Sequence, residues 1–291
     1  MESVAPASAA QSVALVIENT RIARDTYRLR LGDRSMARAI RPGQFLMVRP
    51  GPLGSTDPLL GRPLALYDVV RDQAGEAVAI DVVYLVIGRG TAALAERRPG
   101  DQLSIWGPLG NGFGPPPAGP VLFVAGGIGQ TPFLALARAW LGNARYGDDA
   151  PSPAVATSAT LLYGARTADL FAGLDDFRAA GVAVELATDD GSLGHHGYVT
   201  ELVERRLERG DRPALLVGCG PVPMIAALAR IARAAGLPCD VSLENHMACG
   251  IGACFSCVAP IIGPDGSTDL RRVCVDGPVV SAQDVDWDHM A

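Results

Sequence analysis

Apolar and polar positions alternate in short bursts through the first hundred residues. SVALVIENT (12–20), YRLRLG (27–32), GQFLMVRP (43–50), RPLALYDVV (62–70), AVAIDVVYLVIG (77–88) and DQLSIWGP (101–108) all read as strands. Gly43, Gly54, Gly61, Gly88, Gly100 and Gly107 punctuate them, and no long helical period intervenes. An antiparallel β-barrel over residues 11–114 fits this pattern.

The rhythm changes after PPPAGP (115–120), which makes a stiff linker. VLFVAGGIGQTPFLALARAWL (121–141) then predicts strand, glycine turn and helix. Thr131 is placed to cap that helix, with Pro132 at its first position, where a missing N–H costs nothing. ATLLYGAR (159–166), VAVELATDDG (182–191) and PALLVGCG (213–220) follow as near-continuous apolar strands. LFAGLDDFRAAG (170–181), YVTELVERRLERG (198–210) and PVPMIAALARIARAAG (221–236) separate or follow them as helices. Such alternation predicts a parallel sheet covered on both faces. The expected organisation is α+β and multidomain: a disordered leader over 1–10, the barrel over 11–114, an α/β domain over 115–236, and a cysteine-rich subdomain over 237–291.

Composition narrows the function. The 291 residues suffice for two domains and a small appendage. A net charge of −6 without any basic run argues against nucleic acid and anionic membrane surfaces. All 25 basic residues are arginine, which excludes a P-loop lysine and a Schiff-base lysine. MESVAPASAAQS has neither a basic nor an apolar signal-peptide region, and no apolar run reaches the ~20 residues of a membrane helix. The expectation is a cytoplasmic protein whose thiols stay reduced, so its cysteines are better read as metal ligands than as disulfides.

Several stretches carry candidate chemistry. AGGIGQTP (125–132) sets Gly126, Gly127 and Gly129 at a strand-to-helix turn, where a backbone can approach phosphate at a helix N-terminus. Taken alone, it fits a tight βα turn equally well. GCGPVPM (218–224) puts Cys219 at the carboxyl edge of the sheet, where α/β folds bind ligands; a small buried thiol is the plainer reading. His195 and His196, in DDGSLGHHG, read as solvated loop residues. Arg62, in GRPLALYD, suits a diphosphate. GRGTAAL adds Gly90 and Thr91 ahead of a short helical segment. Two phosphate-type sites on a barrel followed by an α/β domain say more than either alone.

The cysteines give the sharpest signal. Cys249-x4-Cys254-x2-Cys257, with Cys274 after sixteen further residues, has the plant-type spacing of [2Fe-2S] ligands. Gly250 and Gly252 let the loop curl and turn N–H groups towards the sulfurs. Structural zinc usually uses two separated C-x2-C knuckles, and only one is present. Cys239 lies outside the pattern and reads as a core residue.

Together, PGQFLMVRP, GRPLALYD, GRGT, GPLGNGF, AGGIGQTP, DDGSLGHHGYVT, GCGPVPM, SLENHMACGIGACFSC and RVCVDGP resemble the PyrK family. These are the electron-transfer subunits of class B dihydroorotate dehydrogenases, within the ferredoxin–NADP reductase superfamily. The resemblance implies FAD, a [2Fe-2S] cluster and NAD as cofactors. It assigns Arg62, Pro63, Leu64 and Ala65 to the flavin strand, Val83, Tyr84 and Leu85 to the next one, and Gly90 and Thr91 to the diphosphate. Ala65 departs from the family's usual serine. AGGIGQTP, with Thr131, would take the nucleotide, and Cys219 would lie near the nicotinamide–flavin contact. Arg166 is a candidate for a 2′-phosphate and leaves NADP open. The cluster ligands would be Cys249, Cys254, Cys257 and Cys274. The implied partner is an FMN-containing catalytic subunit in a heterotetramer that passes electrons to NAD+ in pyrimidine biosynthesis. An NADPH:ferredoxin oxidoreductase or sulfide dehydrogenase subunit shares most of these motifs, and a zinc-stabilised scaffold would explain only the cysteines.

Overall fold

The structure, a computed structural model, describes residues 9–115, 118–147 and 155–290. Strands β1 (Ala10–Ala23), β2 (Thr26–Gly32), β3 (Phe45–Val48), β4 (Arg62–Arg71), β5 (Ala77–Leu85) and β6 (Gln102–Leu109) close a barrel in the order β1-β2-β5-β4-β3-β6. Every neighbouring pair in it is antiparallel. Alternation decides what goes in: Leu29 and Leu31 of β2 are fully buried, while Arg28 and Arg30, which alternate with them, face outward. Arg30 there grips Asp81 with two bonds of 2.8 Å. Helix α1 (Arg34–Ala39) follows β2, started by the Asp33 carboxylate, which accepts from the Met36 N–H at 2.9 Å. Helix α2 (Arg89–Ala95) follows β5. Most of the leader expected over 1–10 falls outside the described residues, and Ala10 already opens β1.

The second unit is built from β7 (Pro120–Gly126), β8 (Ser158–Ala165), β9 (Ala183–Thr188), β10 (His195–His196), β11 (Leu215–Cys219) and β12 (Cys239–Ser242). Helices α3 (Phe133–Trp140), α4 (Leu174–Ala179), α5 (Val199–Glu208) and α6 (Val222–Ala235) connect or follow them. The strands run parallel, and the sheet order is β10-β9-β8-β7-β11-β12, with β15 (Val279–Ser281) added antiparallel beyond β12. Chain direction reverses its walk across the sheet between β7 and β11, which makes that gap the topological switch point.

Three expectations are corrected. The boundary at residue 236 cuts through this sheet, because β12 and β15 both hydrogen-bond into it. What lies outside the sheet is residues 244–278, with the hairpin β13 (Val258–Ile262) and β14 (Thr268–Arg272) and the short helix α7 (Val273–Asp276). Thr131 does not cap α3, since its backbone is already helical at φ −57° and ψ −42°, whereas a cap needs an extended one. A 3-10 turn over Gly127–Gln130 comes immediately before Thr131, so the chain is already helical where the cap was expected. The helix expected over 170–181 starts only at Leu174, because Gly173 takes a left-handed φ of +72°.

Barrel and sheet dock through polar contacts on β4. Asp68 accepts from Tyr146 and from Arg138, each at 2.6 Å, and Tyr67 donates to Asp176 at 2.8 Å. Strand β4 begins at Arg62, so these contacts tie the expected flavin strand to α3, α4 and Tyr146 of the second unit.

Candidate functional site

On the barrel, Arg62 and Gly90 come together. The guanidinium lies so close over Gly90 that a Cβ there would sit 2.5 Å from Nε. Arg62 Nη1 donates to the carbonyls of Leu60 and Gly61, at 3.1 and 3.0 Å, which fixes the group at the start of α2. The Thr91 hydroxyl accepts from the N–H groups of Ile87 and Gly88, at 3.0 and 3.3 Å, and so shapes the turn into that helix. Along β4, Pro63 and Ala65 are half-buried and Leu64 is buried in the barrel core. On β5, Val83 and Tyr84 are buried in different cores, and the Tyr84 hydroxyl donates to Asn19 at 3.1 Å. Leu85 is half-buried, so of these three β5 residues it alone has a side chain open to a ligand.

At the switch point, the glycines of AGGIGQTP divide the work. A Cβ on Gly126 would meet Met224 Sδ at 2.7 Å, and one on Gly129 would stand 2.3 Å from the Cys219 carbonyl oxygen. These two let the turns after β7 and β11 close on each other. Gly127, at φ +56°, has open space where a Cβ would project, a cradle that fits a phosphate. Thr131 is buried. Arg166 is exposed at the end of β8. His195 is tied down and not solvated as expected: Nδ1 accepts from Arg205 at 3.0 Å, leaving Nε2 to donate to Glu201 at 2.7 Å. His196 is exposed.

Cys219 is buried, and its thiol donates to Glu244 Oε1 at 3.6 Å. Burial, reinforced by the neighbouring carboxylate, pushes that thiol well above its ordinary range, so it is neutral at physiological pH. Glu244, just beyond β12, is a member of this site that the sequence reading passed over within SLENHM. Glu244 is exposed as a residue, but the atoms packed around its carboxyl desolvate that group and raise it, with the Cys219 hydrogen bond acting the other way. A carboxyl whose pKa is raised by folding binds its proton more tightly when folded. Its contribution is therefore full below the unfolded value and is lost as pH rises through the folded one. Glu244→Gln keeps an acceptor for Cys219 and removes the charge. The variant should gain stability over the parent as pH rises above about 4.3, by less than roughly 1 kcal/mol because Glu244 is exposed and solvent screens its charge. Thermal denaturation of both proteins across pH checks this, and a pH-independent difference refutes it.

The four cysteines come from the segment 244–278. Cys254 is exposed, Cys249 half-buried, and Cys257 and Cys274 buried. Gly250 and Gly252 take φ of +73° and +81°, which lets the loop turn the Ile251 N–H onto Cys249 Sγ at 3.4 Å. Hydrogen bonds from Ser256, then from Cys249, hold the Cys254 thiol down at about 6. Burial, with Cys257 beside it, pushes Cys274 up to about 12. Among the described residues no three His, Cys, Asp or Glu side chains stand in a geometry that would hold a metal ion. The fit to a cluster rests on donor chemistry: four thiols that sense one another, ligand spacing, and N–H groups aimed at sulfur. The loop is seated on the barrel: Trp106 Nε1 donates to the Cys249 carbonyl at 2.9 Å, and Gly250 packs on Met47 and Leu109. Beyond α7, which carries Cys274, the backbone of Val279 exchanges bonds of 2.7 and 2.9 Å with Asn111.

Comparison with known proteins agrees with this layout. The iron-sulfur cluster binding domain of dihydroorotate dehydrogenase B matches residues 244–286, and an oxidoreductase NAD-binding domain matches residues 123–230. A solved NADH-dependent reduced ferredoxin-NADP oxidoreductase superposes with a TM-score of 0.78 at 27% identity, covering 96% of this chain and 91% of that one. Fold and site thus define a flavin- and nicotinamide-dependent oxidoreductase with an iron–sulfur tail, carrying FAD, [2Fe-2S] and NAD. The dihydroorotate dehydrogenase B (NAD+) electron transfer subunit of Geobacillus thermodenitrificans is 38% identical over 93% of this chain and 96% of its own length. Its counterpart in Geobacillus kaustophilus is 39% identical over 91% and 94%. The chain belongs to the family of dihydroorotate dehydrogenase B (NAD+) electron transfer subunits. The zinc scaffold falls with the iron–sulfur match.

Proposed function

We propose that this chain links NAD to an FMN-containing catalytic subunit that oxidises dihydroorotate to orotate in pyrimidine biosynthesis. Electrons would run from that subunit through the cluster and FAD to NAD+. The observation that carries the reading is the seating of the cysteine loop on the barrel wall next to the flavin strand. When bound, FAD exchanges a hydride with NAD(H) and single electrons with the cluster. The chain's own residues do the holding. Arg62, with Gly90 and Thr91, takes the flavin diphosphate, and the backbone of Val83–Leu85 and Pro63–Ala65 lines the ring. Gly127 leaves room for the nucleotide diphosphate, while Gly126 and Gly129 close the turns around it. Cys219 presents a buried, neutral thiol near the nicotinamide, with the Glu244 carboxyl hydrogen-bonded to it from the surface side. Cys249, Cys254, Cys257 and Cys274 ligate the cluster.

The partner would dock over the cluster, where Ile251, Phe255 and Val275 are 58%, 60% and 42% exposed beside the half-buried Met247. A heterotetramer, two such pairs, is the assembly proposed. Among the described residues no helix is long and apolar enough to cross a membrane. The cytoplasm, where thiols stay reduced, is the compartment proposed. The likeness to the reduced ferredoxin-NADP oxidoreductase supports a second reading, a subunit that serves ferredoxin and NADPH. The purified, cofactor-loaded chain should reduce dyes with NADH and form no orotate. Orotate should appear on adding the FMN subunit. Orotate made by the chain alone refutes the proposal, and a large preference for NADPH favours the second reading.

A further inference from the structure

Side chains alternate along β6: Leu103 and Ile105 are buried in the barrel core, and Trp106 points out of the barrel. An outward tryptophan needs a cover for its ring and a partner for its N–H. Both come from segments that flank the proposed cofactors. The indole N–H donates to the carbonyl of Cys249, a proposed cluster ligand, at 2.9 Å. The far edge of the ring lies on Gly61, where a Cβ would stand 2.6 Å from Cη2. One peptide bond further is Arg62, whose guanidinium covers Gly90. Trp106 also pairs with Met47 across β3 and β6, and Met47 is the residue on which Gly250 of the cluster loop rests.

We propose that Trp106 is the positioning residue that seats the cluster loop against the flavin strand and sets the rate at which an electron crosses between FAD and the [2Fe-2S] cluster. The proposal rests on the cofactor assignment above. From Cys249 to Arg62 the route is covalent except for one hydrogen bond and one van der Waals contact. Electron transfer through protein slows steeply with each gap and each added ångström, so both contacts bear on the rate. One electron leaves reduced FAD and one enters the oxidised cluster, and NADH is the reductant. A tryptophan that only filled space would lower stability when removed and leave the crossing step alone.

Two substitutions break the contacts separately. Trp106→Phe keeps a ring and loses the N–H, whereas Gly61→Ala keeps the N–H and pushes the ring away. The FAD- and cluster-loaded chain is mixed anaerobically with NADH. Flavin bleaching reports the hydride step, and freeze-quench EPR reports cluster reduction on the molecules that carry a cluster. In both variants flavin reduction should stay within about twofold of the parent while cluster reduction slows roughly tenfold or more. The cluster's midpoint potential should hold steady, because the indole bonds a carbonyl and not a sulfur. Should Trp106→Phe lose its cluster, Gly61→Ala alone decides. Cluster reduction at the parent rate in the variants that retain a cluster, or equal slowing of both steps, overturns the proposal. A parent chain with no cluster signal refutes instead the assignment on which it rests.

Discussion

Alanine at position 254 is expected to abolish the iron–sulfur absorbance and EPR signal while FAD remains bound at the parent's stoichiometry. A [2Fe-2S] cluster takes four thiolate ligands, and alanine offers no donor in place of one. Cys254 is the informative choice among the four. It is exposed, and its thiol is already held down at about 6 by Ser256 and Cys249, so it gives up its proton to a metal readily. Cys257 and Cys274 are buried, and their truncation would also disturb packing against Val273 and Ala259 in the same core. Exposure at 254 separates loss of the cluster from loss of the fold. The flavin should stay because Arg62, Gly90 and Thr91 lie on β4 and α2, with no side chain in the cysteine loop. Iron and sulfide analysis, visible spectra and flavin content of anaerobically prepared protein test this together. Retention of the full iron content would overturn the ligand set, and release of FAD alongside iron would mean the two sites do not form independently.

Much of this architecture was legible because it depends on local patterns. The barrel follows from inside–outside alternation in strands such as β2, where leucine and arginine take turns. The α/β unit follows from apolar runs separated by helical ones, and the cluster loop from three cysteines within nine residues, 249–257. What escaped depends on long-range pairing or on the state of the backbone. Strand β15 has three residues, and its place in the sheet comes from pairing with β12 some forty residues earlier in the chain. The Cys219–Glu244 pair forms because β11 and β12 lie side by side, which no periodicity announces. Tyr84 sits among candidate flavin residues, yet alternation turns its ring into the barrel to meet Asn19. Trp106 contacts Cys249 across 143 residues, and its outward position on β6 was the one local sign. Thr131 failed as a cap because the turn before it had already become helical.

The contrast between Gly129 and Gly127 tests the switch point most severely. Alanine at 129 would bring its Cβ to 2.3 Å from the Cys219 carbonyl oxygen, 2.5 Å from its carbon and 2.8 Å from the Gly220 Cα. All three are backbone atoms of the turn after β11, so no side-chain rotation relieves the clash. The two turns must separate, which uncovers Phe123 and Val217 at the sheet centre and displaces Cys219 from Glu244. Gly129→Ala should cost about 3 kcal/mol or more in stability and abolish NADH-driven flavin reduction. Alanine at 127 meets nothing within 4 Å, and its penalty is the left-handed φ of +56°, about 1–2 kcal/mol. The Gly127→Ala protein should therefore fold and bind FAD. Its methyl group projects into the space proposed for the nucleotide diphosphate, so KM for NADH should rise, roughly tenfold for a lost charge-assisted contact, with dye reduction at saturating NADH little changed. Thermal denaturation and diaphorase kinetics of the two variants give the comparison. A Gly127→Ala enzyme with an unaltered KM would mean that the open face of this turn does not meet the nucleotide, and the phosphate site would then have to be sought elsewhere along the sheet edge.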